Sequence, residues 1–225
     1  MFEKIIQKIF RIVDGYVDEN SHNIKRELQK RALTQTAEFV EKNMAQTKSF
    51  VDKFSLLEYS IDLTNNEGLF IEFGVFEGDT INFISSITEN TVYGFDSFEG
   101  LPEKWRDDFE KGKFRVEKVP KVKNNVKLVK GWFKDTLPPF VNSHSDNCAF
   151  IHIDCDLYSS TKTVFKYLNK KITKGTVIVF DEFFNYPGWK NGEYKAFVEF
   201  IESSNLKFEF IGYCCYNEQV AVKIL

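Results

Sequence analysis

The stretch Leu69-Phe-Ile-Glu72-Phe-Gly74-Val-Phe-Glu-Gly78-Asp79-Thr80 decides the fold. Its apolar run, entered through Asn65-Asn66-Glu67-Gly68, reads as a strand buried on both faces. The turn that follows carries Gly74 and Gly78, which let backbone approach a ligand, and it feeds the N-terminus of a helix. Working outward toward the C-terminus, apolar runs and helical stretches alternate. They predict a helix over 79–87, strands over 91–96, 126–130 and 149–154, a helix over 160–170, a strand over 176–181 and a helix over 193–203. Alternation of this kind implies right-handed crossovers and a mostly parallel sheet. The last two runs, 207–213 and 219–225, are separated by a polar turn and predict an antiparallel hairpin at the sheet edge. The expectation is an α/β fold with a seven-stranded, mostly parallel sheet.

Working outward the other way, residues 23–63 keep a helical pattern, rich in Lys, Glu, Gln and Ala and free of Pro and Gly. The chain therefore divides into a helical N-terminal extension, 1–63, expected to serve as a lid or an oligomer contact, and a ligand-binding domain, 64–225. At the start, Phe2, Ile5, Ile6, Ile9, Phe10 and Val13 are interrupted by Glu3, Lys4, Lys8 and Arg11, too often for the apolar core of a signal peptide. Residues 1–17 read as an amphipathic helix in a cytoplasmic protein, without stable membrane insertion, and a homo-oligomer through these helices is one expectation.

Composition agrees with a globular protein: 225 residues, 43% hydrophobic and 28% charged. A formal charge of −3 offers no general attraction to nucleic acid. The local exception is 111–130, where eight Lys or Arg face the single acid Glu117; a solvated loop and strand edge is the favoured reading, an acidic acceptor the alternative. The 24 Phe are expected mainly in the core. The four cysteines form no C-x-x-C pair, which argues against structural zinc and against a disulfide scaffold.

Ligands of open α/β sheets bind beyond the carboxyl ends of the strands, so the residues found there matter most. The second strand ends in Asp96, 22 residues after Gly74, where an acid can accept hydrogen bonds from the ribose hydroxyls of an adenosine. The first turn has no Lys to cradle a triphosphate, and Gly74 and Gly78 do not form G-x-G-x-x-G. Glu72, Glu77 and Asp79 would repel a phosphate but suit S-adenosylmethionine, which presents a sulfonium and an ammonium. Cofactor contacts are accordingly expected from Glu72, Gly74, Phe76, Gly78, Asp79 and Thr80, from Asp96 and Ser97, and from Trp132, Phe133 and Asp154. For the aromatic members, core packing is the competing role.

The fourth strand ends in Asp154 and Asp156, at i and i+2 on one side of an extended backbone, and the fifth in Asp181 and Glu182. Neighbouring strands lie roughly 5 Å apart, so four carboxylates converge at one rim. Like charges that close call for a cation or a shared proton, and all-oxygen donors favour Mg²⁺, Mn²⁺ or Ca²⁺ over zinc. His152 lies within the strand and reads as a buried, hydrogen-bonded histidine; His144 and His22 read as loop residues.

Several phrases then carry a resemblance: Glu72-Phe-Gly74-Val-Phe-Glu-Gly78, Phe95-Asp96-Ser97-Phe98-Glu99-Gly100-Leu101-Pro102, Gly131-Trp-Phe-Lys-Asp135-Thr-Leu-Pro138, Ile153-Asp154-Cys-Asp156-Leu-Tyr158-Ser159-Ser160-Thr161 and Asp181-Glu182. From about Gly68 onward the chain resembles the macrocin O-methyltransferases, sugar-modifying enzymes with the Rossmann-like class I methyltransferase fold; before about Phe54 no matching motif appears. The resemblance implies magnesium-dependent methyl transfer from S-adenosylmethionine to a sugar hydroxyl of a saccharide or glycosylated metabolite. It implies a metal on Asp154, Asp181 and Glu182 and a general base at Asp156. Glu182 stands where the family more usually shows a second Asp, and its longer side chain still reaches a cation. A catechol-type O-methyltransferase, with the same fold, cofactor and metal cluster, is the alternative, and a non-catalytic nucleotide-binding domain is the reading from another class.

Overall fold

The computed structural model describes residues 2, 5–11, 22–65 and 67–225. Its strands are β1 (Lys48–Phe50), β2 (Leu69–Phe73), β3 (Val92–Asp96), β4 (Val126–Lys130), β5 (Cys148–Ile153), β6 (Val177–Phe180), β7 (Phe208–Cys214) and β8 (Val220–Ile224). They form one sheet in the order β4-β3-β2-β5-β6-β8-β7-β1. From β4 to β6 every pairing is parallel, and β8 then runs antiparallel to both β6 and β7. The helices are α1 (Ile24–Asn43), α2 (Lys53–Asp62), α3 (Asp79–Ile84), α4 (Phe133–Ser143), α5 (Tyr158–Leu168) and α6 (Glu193–Ser204).

Two elements depart from expectation. The sheet has eight strands where seven are predicted, because β1 lies inside the stretch that reads as helical. Three residues carry little periodicity, and the hydrogen-bonding edge of β7 captures them in parallel register, Lys48 beside Gly212 and Phe50 beside Cys214. Helix α4 falls where no helix is predicted, and Pro138 and Pro139 both sit inside it. The amphipathic helix expected over 1–17 lies partly outside the described residues; residues 5–11 are helical and exposed. Among the described residues no helix is long and apolar enough to cross a membrane.

Strand periodicity sorts the core onto two faces. Leu69, Ile71 and Phe73 of β2 and Ile178 and Phe180 of β6 pack with Phe140, Phe165, Leu168 and Phe197 from α4, α5 and α6. Phe70, Val177 and Val179 point the other way, onto Leu56, Leu57 and Ile61 of α2 and Ile81 and Ile84 of α3. All five residues of β2 are buried, as a central parallel strand requires. Many of the Phe do fill this core: rings of Phe165 and Phe200 stack at 4.5 Å and Phe180 meets Phe197 edge-on at 5.1 Å. Helix α1 is seated by an aromatic cluster, with Phe39 edge-on to Trp189 (5.6 Å), Tyr194 (5.6 Å) and Phe210 (5.8 Å). Its Thr36 hydroxyl also accepts from the Asn185 N–H at 3.0 Å.

Trp189 is 1% exposed at the centre of that seat. Trp189→Ala is expected to destabilise the protein by about 3–5 kcal/mol in urea denaturation. A loss below about 1 kcal/mol would mean that this cluster does not hold α1 to the body.

Candidate active site

The carboxyl ends of β2, β3, β5 and β6 open into a cavity of about 960 Å³. Its existence depends on Gly74. There the turn after β2 passes so close to β5 that a Cβ at Gly74 would lie 1.6 Å from the Asp154 carbonyl oxygen, and φ is +92°. The two backbones are locked by hydrogen bonds from Gly74 N–H to the Phe95 carbonyl (2.9 Å) and from Asp154 N–H to the Phe73 carbonyl (2.8 Å). Gly78, also at positive φ, opens α3. Gly74, Phe76, Gly78, Asp79, Thr80, Asp96, Ser97, Trp132, Phe133 and Asp154 all line the cavity.

Asp96 is already at work in the turn. Its Oδ2 accepts from the Val75 and Phe76 N–H groups at 2.8 and 2.9 Å, and its Oδ1 from the Phe98 N–H at 2.7 Å. Phe76 is held in the left-handed region (φ 47°) by this clamp. Glu72 takes a different place from the one its position suggests: it is fully buried behind the wall, where its Oε1 accepts from the Thr80 hydroxyl at 2.7 Å. Phe133 packs edge-on against Phe73 at 5.2 Å, so it serves core and cavity together.

Asp154, Asp156, Asp181 and Glu182 do meet, all on the cavity wall. The route to that meeting differs at Asp156. Strand β5 stops at Ile153, and Asp156 adopts a left-handed backbone (φ 63°), so the extended i and i+2 geometry does not apply. A non-glycine residue held there stores strain at the site. Burial, then the charge of Asp181, pushes the Asp156 carboxyl up to about 7, against the pull of Arg106. Burial and Asp181 also push Asp154 upward, and Glu182 rises for the same two reasons.

The cations of the rim come from places that sequence spacing does not reveal. His152, fully buried, lies with Nδ1 3.6 Å from Glu72 Oε2 and Nε2 3.8 Å from Asp181 Oδ1. Those separations are too long for hydrogen bonds but short enough for charge pairing. Burial opposes its charge, yet the two carboxylates prevail and hold the imidazole protonated, up at about 10. It is thus a charge partner of both carboxylates, and with Asp154 and Asp181 it forms a group whose ligand atoms all lie within 4.8 Å of one another. Lys53, from the start of α2, places Nζ 3.4 Å from Asp181 Oδ1. Burial pushes Asp181 up, but His152 and Lys53 together hold it down at about 2. Glu193 was not a candidate either: fully buried at the start of α6, it accepts the Glu182 N–H at 3.2 Å through Oε2. Six carboxylates, Glu72, Asp154, Asp156, Asp181, Glu182 and Glu193, are therefore set against His152 and Lys53, with Arg106, itself paired with Glu218, acting on Asp156.

Over the mouth lies the segment after β3. Leu101 N–H bonds the Lys113 carbonyl and Gly112 N–H the Leu101 carbonyl, at 2.8 and 2.9 Å, closing a loop that presents Trp105, Arg106 and Phe109 to the cavity. Arg106 lies 3.8 Å over the Trp105 ring and pairs with Glu218 at 3.2 Å. All eight basic side chains of 111–130 are exposed, while Phe114 among them turns inward to meet Phe76 edge-on at 5.4 Å. His144 is structural: Nδ1 is 2.9 Å from the Phe140 carbonyl and Nε2 3.2 Å from the Tyr93 hydroxyl. The cysteines are free, with Cys214 buried and Cys215 exposed.

The sequence model described as macrocin-O-methyltransferase matches residues 7–209. The chain belongs to the macrocin-O-methyltransferase family. The match begins well before the first recognisable motif, so the segment of this macrocin-O-methyltransferase family member that supplies Lys53 lies within the matched span. It is similar to the 8-demethyl-8-(2,3-dimethoxy-alpha-L-rhamnosyl)-tetracenomycin-C 4'-O-methyltransferase of Streptomyces olivaceus, 25% identical over 169 residues, 63% of this chain and 64% of that protein. It is also similar to the demethyldecarbamoylnovobiocin O-methyltransferase of Streptomyces niveus, 26% identical over 159 residues, 59% of this chain and 60% of that one. The alignments thus span a little under two thirds of these relatives. Among solved structures, the O-methyltransferase NovP shares the fold with a TM-score of 0.59 at 23% identity, covering 76% of this chain and 78% of that one. The calicheamicin methyltransferase CalS11 does so with 0.60 at 21%, covering 88% and 91%. The mostly parallel sheet with its antiparallel C-terminal hairpin is the class I methyltransferase fold.

Gly74→Ala forces the Asp154 carbonyl aside and strains a positive φ, so a loss of at least about 2 kcal/mol is expected in chemical denaturation. Wild-type stability in this variant would show that the two strand ends are not in contact.

Proposed function

We propose that this family member transfers the methyl group of S-adenosylmethionine to a hydroxyl of a saccharide or glycosylated metabolite. One observation carries the reading: the Gly74 turn with its clamping Asp96 and a surplus-acid rim with Asp156 share a single cavity. The names of two relatives, a rhamnosyl-tetracenomycin 4'-O-methyltransferase and a novobiocin-precursor O-methyltransferase, support this acceptor class.

On this reading the Gly74–Thr80 turn and Trp132 receive the adenosine and methionine portions, with no phosphate to accommodate. A carboxylate has about four lone-pair sites. Asp96 uses three on backbone N–H groups, so it has room for one ribose hydroxyl and not both. Asp156 is the base. As the acceptor oxygen bonds to the methyl carbon and the carbon–sulfur bond breaks, leaving S-adenosylhomocysteine, Asp156 takes the hydroxyl proton. A carboxyl that titrates near neutral pH suits that task. Holding oxygen and methyl about 3–3.5 Å apart and in line removes roughly 7–11 kcal/mol of barrier, which falls to the cavity walls and the Trp105 loop.

The rim also fits a magnesium ion. Glu182 Oε2 is buried with no hydrogen-bond partner, and Asp154 and Asp181 lie with His152 in a group whose ligand atoms are all within 4.8 Å of one another. Asp154, Asp181 and Glu182 would hold it, and when bound it would supply Lewis acidity to acceptor hydroxyls. Lys53 and Phe54, at the start of α2, line the same cavity, which supports a lid role for this end of the N-terminal extension.

Calorimetric titration with S-adenosylhomocysteine tests the cofactor: wild type is expected to bind and Asp96→Ala to lose affinity, whereas absence of binding to wild type would remove the reading. Asp156→Asn is expected to lower turnover of a sugar acceptor by about 10²–10⁴-fold with S-adenosylhomocysteine affinity retained. Turnover kept with affinity lost would reverse the assignment of that residue.

A further inference from the structure

Lys53 occupies a position that is awkward for a cation. It is the first residue of α2, where the helix presents the partial positive charge of its unpaired N–H groups. The turn that holds it is independently fixed: Asp52 caps the helix, accepting from the Ser55 N–H at 3.0 Å and from the Ser55 hydroxyl at 2.8 Å. From there the side chain crosses to the rim, where its ammonium lies 3.4 Å from Asp181 Oδ1 and feels the charges of Asp154 and Glu182 beyond it. Those are the three carboxylates proposed above to hold magnesium, and the inference rests on that reading. The Lys53 side chain is one third exposed, 33%, so it has a path out of the rim, whereas Asp181 at 10% has none.

We infer that Lys53 is a built-in competitor of the divalent cation. Its ammonium neutralises Asp181 in the metal-free protein, and metal binding displaces it from that carboxylate. The affinity of the rim for a divalent ion is therefore set below what the carboxylates alone would give. A site with a resident cation avoids unopposed repulsion among buried acids when no metal is bound. It also links the N-terminal portion to metal loading, since α2 carries the competing charge.

Mn²⁺ serves as the probe, titrated into the full chain and followed both by the electron paramagnetic resonance signal of the free ion and by calorimetry. Lys53→Met, which keeps the aliphatic stem and removes the charge, is expected to bind at least about tenfold more tightly than wild type. Lys53→Arg, which keeps the charge, is expected to stay within about threefold of wild type. A cooperative melt confirms that each variant is folded, and Lys53→Gln replaces Lys53→Met if the latter has none, with the same order of affinities expected. Equal or weaker binding by the uncharged variant would overturn the competitor role while leaving the metal reading intact. Failure of every form to bind Mn²⁺ would overturn the metal reading and the inference with it.

Discussion

From Lys53 through Asp181, His152 and Glu72 to Thr80 runs a line of alternating charge, with separations of 3.4, 3.8 and 3.6 Å and a closing hydrogen bond of 2.7 Å. It crosses the sheet at the carboxyl ends of β6, β5 and β2 and begins and ends on helices. Each group in it is tolerable only because of its neighbours. An isolated buried carboxylate or imidazolium carries a desolvation cost of several kcal/mol, and removing one partner of a buried pair costs about 3–5 kcal/mol. The line therefore joins the turn that shapes one end of the cavity to the acids at the other. Asp154, Asp156 and Glu182 sit beside it, and burial and mutual repulsion raise all three, outweighing the pull of His152 and Lys53 on Asp154 and of Arg106 on Asp156.

Much of the framework was legible because it rests on local pattern. Strand β2 is an uninterrupted apolar run bounded by turn residues, and its burial on both faces follows from its central place in a parallel sheet. Gly74 could be singled out because only close backbone approach explains a glycine at a strand end, and a contact of 1.6 Å for a missing Cβ is the physical form of that constraint. The convergence of four acids followed from two strands being neighbours, which the register of Phe150–Ile153 with Val177–Phe180 bears out.

What could not be read depends on partners remote in the chain. Lys53 lies 128 residues from Asp181, and nothing in its surroundings distinguishes it from a solvated lysine on a helical stretch. Glu193 looks like an acid placed for the dipole at a helix start, and only the fold puts it behind Glu182. Glu72 sits at the expected strand end but faces His152 and Thr80, because alternation along β2 turns it away from the cavity. Strand β1 is missed for a related reason: three residues become a strand only once β7 offers an edge.

That edge pairing has a bearing on how the lysine is held at the rim. Phe50 is registered with Cys214, and the Cys215 N–H closes on the Phe50 carbonyl at 2.9 Å, so the segment immediately before α2 is anchored to β7. Helix α2 rests by its apolar face on β2 and β6 through Leu56, Leu57 and Ile61, so Lys53 is carried by an element held both by its face and by the strand that precedes it. A change that loosened the β1–β7 edge would therefore reach the acids through the lysine without touching any of them.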